Sequence, residues 1–235
     1  MRRIILAVLA ASLTAAALPV VADAQSGKKP PAYPIPGPAP GNPAPAGASL
    51  TIVAKPNPTV FQGATVISGR LKGLQNNANR TVTLREDSFP FFSIDKLVNA
   101  QTDANGDYVF TRRPAKNSAY KVVLFGTTLS SPGVLVNVRT RVSQFVSDRT
   151  PRVGQIIRIS GRACPTHNGL PVGIQRKSKT GFGTVRSTRL RSSTRCSTYS
   201  RRFRVYVDGV FRVVTKGHGD HARGISRTVF IDVHR

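Results

Sequence analysis

The sequence predicts an all-β protein of two tandem β-sandwiches. Three observations carry that reading: short alternating apolar runs throughout residues 49–235, turn clusters every eight to twelve residues, and a repeat of these runs in the second half. No stretch shows the 3.6-residue periodicity of a helix.

Ahead of the sandwiches stand two segments without a core. Residues 1–24 read as a secretory signal peptide: Arg2 and Arg3 start it, Ile4 to Leu18 is almost wholly apolar, and Ala22-Asp23-Ala24 places small residues at the cleavage positions. An uncleaved membrane anchor is the rival, which Pro19 and the Ala-x-Ala ending disfavour. With cleavage, no stable membrane insertion is expected. Residues 25–48 contain SGKKPPAYPIPGPAPGNPAPAGA, a proline-rich stretch with no apolar periodicity, and are expected to be a disordered, extended spacer.

The strands then follow in order. SLTIVA, ATVISGRL, TVTLRE, YVFT, YKVVLF and GVLVNVR make the first half, and VSQFVS, IIRISGR, PVGIQRK, RFRVYV, FRVVTK and RTVFIDV the second. GATVISGR answers GQIIRISGR, TVTLR answers PVGIQR, and AYKVVL answers VFRVVT, so the period is about 91 residues, the size of a seven-stranded immunoglobulin-like sandwich. Domains at 49–139 and 140–235 follow. YVDGVF (Tyr206 to Phe211) reads locally as an Asp-Gly hairpin, but its counterpart in the first half has to cross between sheets, and the repeat takes precedence.

The run TDANGDYVF followed by SAYKVVL resembles the tandem immunoglobulin-like or carboxypeptidase-regulatory-like modules of secreted bacterial proteins. The resemblance implies a non-catalytic extracellular module. The second half departs from the pattern, with RCSTYS in place of the Asn-Gly turn.

Cys164 and Cys196 are expected to form a disulfide, because a secreted chain meets an oxidising compartment and because each ends or starts one of two neighbouring antiparallel strands. The stretch KGHGDHARG holds His218, Asp220 and His221. With Cys164 and His167 at the same pole, Cys164, His167, His218 and His221 could supply four zinc ligands. The disulfide would consume Cys164, however, and Gly217, Gly219 and Gly224 leave the loop loose. The expectation is therefore no metal and no cofactor, with His221 and Asp220 hydrogen-bonding within the loop. Phe89, Phe91 and Phe92 offer a partner-binding patch, although their place opposite Phe182 in the repeat assigns at least one to the core.

No paired carboxylates, nucleophile elbow or phosphate-binding glycine loop is legible, so no enzyme is expected. Charge is the strongest compositional signal: 35 Lys and Arg against 10 Asp and Glu, a net of +25. It is uneven. Residues 49–139 carry 11 basic and 5 acidic residues, and 140–235 carry 20 and 4; from Arg149 to Val207 there are 14 basic residues and no acid. If Ile157, Ile159, Phe203, Val205 and Val207 face the core, Arg158, Arg202 and Arg204 face outward. Arg186, Arg189 and Arg191 are expected to border the same sheet. The expected partner is an anionic envelope or extracellular polymer, with nucleic acid the less favoured alternative because interleaved aromatics are lacking.

Overall fold

The structure is a computed structural model that describes residues 41–235, all within one compact unit. The signal peptide and residues 25–40 of the spacer lie outside the described residues. Among the described residues there is no helix.

The first sandwich comprises β1 (Ser49–Leu50), β2 (Val53–Lys55), β3 (Thr59–Val60), β4 (Thr65–Lys72), β5 (Thr81–Ser88), β6 (Lys96–Gln101), β7 (Asp107–Arg112), β8 (Ser118–Leu124), β9 (Val134–Val136) and β10 (Val138–Arg139). One sheet has β4 between β7 and the interrupted strand β1/β2; the other runs β6-β5-β8-β9, and β3 pairs with β10 in parallel. The second sandwich comprises β11 (Arg141–Val142), β12 (Phe145–Val146), β13 (Ile156–Cys164), β14 (Pro171–Ser178), β15 (Gly181–Arg189), β16 (Ser197–Arg204), β17 (Gly209–Thr215) and β18 (Val229–Ile231). It repeats the plan: β13 lies between β16 and β11/β12, the facing sheet runs β15-β14-β17-β18, and a parallel bridge from Arg152 to His234 stands where β3 meets β10. The step from β16 to β17 changes sheets, as the repeat requires and the Asp-Gly pair alone does not.

Alternation builds both cores. Ile67 and Leu71 on β4 pack with Leu84, Tyr120 and Val122, and Ile157 and Ile159 on β13 pack with Ile174, Phe211 and Val213. The shared SGR motif has a packing reason. Gly69 lies opposite Tyr108, and Gly161 opposite Tyr199. Each tyrosine ring crosses its glycine to donate its hydroxyl to a backbone carbonyl of the next strand: Tyr108 to Thr51, and Tyr199 to Ser143 at 2.6 Å. A Cβ at Gly161 would lie 2.7 Å from the Tyr199 oxygen and collide with the Ser143 carbonyl. Burial pushes both phenols well above their ordinary pKa, so each remains a neutral donor.

Two expectations need correction. Val207 is 52% exposed rather than buried, because β16 ends at Arg204 and Val205 is the last side chain to reach the core before the chain leaves the sheet. The end of the presumed spacer is already held: Asn42 donates its amide to Gly126 at 3.1 Å and accepts from Thr128 at 2.9 Å, and Ala48 packs on the first core.

Candidate functional site: a basic outer face and a histidine joint

On the outer face of the β13–β16 pair, alternation places Arg158, Ser160 and Arg162 beside Arg204, Arg202, Ser200 and Thr198. All four arginines are exposed. Arg158 lies directly opposite Arg202, and Arg162 opposite Thr198. Arg204 donates to the Gly154 carbonyl at 2.8 Å, and among the described residues no carboxylate pairs with any of the four. The first sandwich holds the same backbone positions differently. Val66 faces Thr111 where Arg158 faces Arg202, and Arg70 faces Asp107 where Arg162 faces Thr198. Arg70 and Asp107 form a two-pronged ion pair at 2.5 and 2.6 Å, which holds the Asp107 carboxyl below its usual range. The fold therefore accommodates apolar or neutralised side chains at these positions, and the second sandwich carries free cations there.

Arg162 and Phe145 were missed at the sequence level, although the same alternation finds both. Phe145 pairs with Ser160, between Arg158 and Arg162, and is 60% exposed; the surface thus has an aromatic among its cations. Arg186 and Arg189 lie beside the β13–β16 pair of strands rather than on it. They sit on β15, which pairs with β14 in the facing sheet; the Arg186 guanidinium lies 5.8 Å from the Phe203 ring centre and Arg189 donates to the Gly169 carbonyl at 2.9 Å. Arg191 borders the β13–β16 sheet through the backbone, exchanging hydrogen bonds with Thr198 at 2.7 and 3.1 Å.

The KGHGDHARG loop, between β17 and β18, is not loose. It forms the joint between the sandwiches, where a single residue, Thr140, separates β10 from β11. Ala222 donates to the Val138 carbonyl at 2.7 Å and accepts from the Thr140 amide at 3.1 Å, and Asn117 donates its amide to the Asp220 carbonyl at 2.8 Å and its side chain to Gly219 at 3.0 Å. Phe89 packs against Gly219 so closely that a Cβ there would lie 2.8 Å from the ring. Phe89 and Phe91 are only partly buried and Phe92 is 86% exposed, so none of the three joins the core. Phe89 stays out because its ring is used at the joint.

Within the joint, three imidazoles surround one carboxylate. His167 Nε2 and His218 Nδ1 lie 3.2 and 3.0 Å from Asp220 Oδ1, and His221 Nδ1 lies 3.2 Å from Oδ2. His221 and Asp220, expected to hydrogen-bond within the loop, lie side by side without a hydrogen bond between them, and His221 reaches the Ala115 carbonyl of the first sandwich at 2.8 Å instead; His167 joins from the loop after β13. That loop is pinned by the Cys164–Cys196 disulfide and by the His167 amide donating to Ser197 at 2.7 Å. Burial acts to raise the Asp220 carboxyl, but the surrounding histidines outweigh it and hold the group at about 2. Burial pushes His221 down, against the opposing pull of Asp220. Cys164, bonded to Cys196, is not available as a ligand.

On another side of the joint, a groove of about 580 Å³ is lined by Val60, Val142, Ile225 and the cations Arg139, Arg141 and Arg227, which extends the positive surface beyond β13 and β16.

No family model matches the chain, and no curated protein matches it. Among solved structures, it is similar to a tetra-tandem repeat in the extending region of a large adhesion protein, at 14% identity and a TM-score of 0.32 over 79% of this chain. The chain spans about half of that structure, 49% of its length. It is also similar to the D0-D1 domain of intimin, at 12% identity and a TM-score of 0.30, over 78% of this chain and 97% of that one. Both superpositions are too loose to transfer a function.

Proposed function

We propose that the chain is a secreted or cell-surface, non-catalytic binding protein of two immunoglobulin-like domains, divided near Thr140, whose second domain attaches to an anionic polymer through the outer face of β13 and β16. The observation that carries this reading is the contrast at equivalent positions: Arg158, Arg162 and Arg202 are unpaired where the first sandwich has Val66, the Arg70–Asp107 ion pair and Thr111. A cluster of like charges costs stability, so its presence where the fold does not need it supports a role in binding. The disulfide supports an oxidising compartment.

The test is retention on immobilised heparin as salt is raised. Arg158, Arg162, Arg202 and Arg204 changed together to Gln should elute at markedly lower salt than the wild type, whereas Arg186 and Arg189 changed to Gln should elute close to it. Co-elution of the fourfold variant with the wild type rejects the assignment. Phe145 favours a second reading, a nucleic-acid partner whose bases stack on the exposed ring. Phe145→Ser then weakens single-stranded DNA binding more than heparin binding.

A further inference from the structure

The hydrogen bonds that two histidines of the joint make to backbone carbonyls decide which of their ring nitrogens face Asp220. His221 Nε2 lies 2.8 Å from the Ala115 carbonyl. A carbonyl only accepts, so Nε2 carries the proton and Nδ1 of the neutral ring presents a lone pair. That lone pair is buried, makes no hydrogen bond and faces Asp220 Oδ2 at 3.2 Å. His167 repeats the arrangement: Nδ1 lies 3.1 Å from the Pro165 carbonyl, which leaves the Nε2 lone pair aimed at Asp220 Oδ1 at 3.2 Å. With these tautomers the two imidazole lone pairs face the two carboxylate oxygens, and His218 Nδ1, 3.0 Å from Oδ1, is the nitrogen placed to donate to the carboxylate. Backbone carbonyls that fix the outer nitrogen of each ring are the orienting contacts that metal-binding histidines use.

We propose that His167, Asp220 and His221 bind one Zn²⁺ ion at the joint between the two sandwiches, with His218 closing the fourth position. Three donor atoms, one from each residue, lie within 4.8 Å of one another; His167 Nε2 is 3.2 Å from Oδ1 and His221 Nδ1 is 3.2 Å from Oδ2, so the carboxylate bridges the two rings and a small inward movement brings the set to zinc bond lengths of about 2.0 Å. The donor chemistry selects the metal: imidazole nitrogens with one carboxylate suit zinc and its neighbours, whereas Ca²⁺ and Mg²⁺ require oxygen ligands. His218 is 59% exposed with Nδ1 3.0 Å from Asp220 Oδ1, so it can turn inward without disturbing a core. A divalent ion bound there would neutralise the Asp220 carboxylate at the centre of the cluster. It ties the loop after β13 to the loop after β17, whose residues His221 and Asp220 bond to Ala115 and Asn117 of the first sandwich. The ion therefore fixes the joint itself.

The full disulfide-bonded chain, stripped with chelator and titrated with Zn²⁺ in a calorimeter at neutral pH, should bind one ion per chain, undisplaced by excess Ca²⁺ or Mg²⁺. His167→Gln and Asp220→Asn should each weaken binding at least a hundredfold, and His218→Gln at least tenfold. His234→Gln, at the remaining histidine, should leave it unchanged. Asp220→Asn also separates loss of ligand from loss of fold. Its amide donates to one of the facing lone pairs, so the metal-free variant should melt no lower than the metal-free wild type while no longer gaining melting temperature from Zn²⁺. Absence of saturable Zn²⁺ binding by the folded wild type, undiminished binding by His167→Gln and Asp220→Asn, or dependence on His234 would overturn the proposal. A metal-free Asp220→Asn chain melting well below the wild type would show that protonated histidines fill the cluster, and would overturn it equally.

Discussion

Arg158 and Arg202 face each other directly across the β13–β16 ladder. The Arg158 amide and carbonyl both turn toward Ser147 on the other side, at 2.9 Å each, so the two arginines form the non-hydrogen-bonded kind of pair, in which side chains stand closest. Directly opposed like charges destabilise by about 0.2–1 kcal/mol. Arg202→Gln should therefore raise stability slightly in low salt, and the gain should vanish in high salt. The same substitution should lower the slope of log affinity against log salt for double-stranded DNA by about 0.9. Melting curves and binding isotherms at two salt concentrations check both halves.

The disulfide closes a sequence separation of 32 residues. Replacing Cys164 and Cys196 together by Ala should cost about 3–4 kcal/mol through the entropy returned to the unfolded chain. Denaturant unfolding of the second sandwich should move to lower midpoint, with the first sandwich unaffected.

Gly161→Ala should destabilise by about 1–3 kcal/mol, because the added methyl displaces Tyr199 from the Ser143 carbonyl. Gly183→Ala, on an exposed strand with open space around it, should be neutral or slightly stabilising. Equal effects of the two in thermal melts would contradict the packing role assigned to the SGR glycine.

In the first sandwich, Arg112 on β7 reaches Glu86 on β5 at 2.6 Å, and the Glu86 side chain is buried. Arg112→Ala leaves an uncompensated carboxylate between the sheets and should cost about 3–5 kcal/mol. Replacing both partners with apolar residues of similar size should recover most of that loss, which a double-substitution cycle measures.

Asp107 offers a pH test. Its folded-state pKa is lowered by the hydrogen-bonded Arg70, so its stabilisation is present above the ordinary carboxylate pKa and is lost as pH falls through the lowered value. The stability difference between wild type and Asp107→Asn should be constant near neutrality and disappear in acid.

Much of this was legible in the chain itself. A period of two residues is imposed by the backbone of any strand, so the outward direction of Arg158, Arg202 and Arg204 followed once Ile157, Ile159 and Phe203 were recognised as the inner set. Arg162 and Phe145 obey the same rule. The repeat carried the chain through YVDGVF against its own turn signal, because equivalent residues 91 or 92 places apart must occupy equivalent strands.

Other features were decided only by tertiary structure. No local signal tells which strand β15 joins, so the hydrogen bonding of the Arg186 and Arg189 strand to β14 in the facing sheet, with a register shift opposite Ile174 and Gln175, is a tertiary outcome. Asn117 and Gly219 stand 102 positions apart; no period links them, and only the packing of two separate cores side by side brings their loops together. Strand direction is a local property of the pleat, whereas a joint between loops exists only after long-range packing has met the entropy of closing the chain around it.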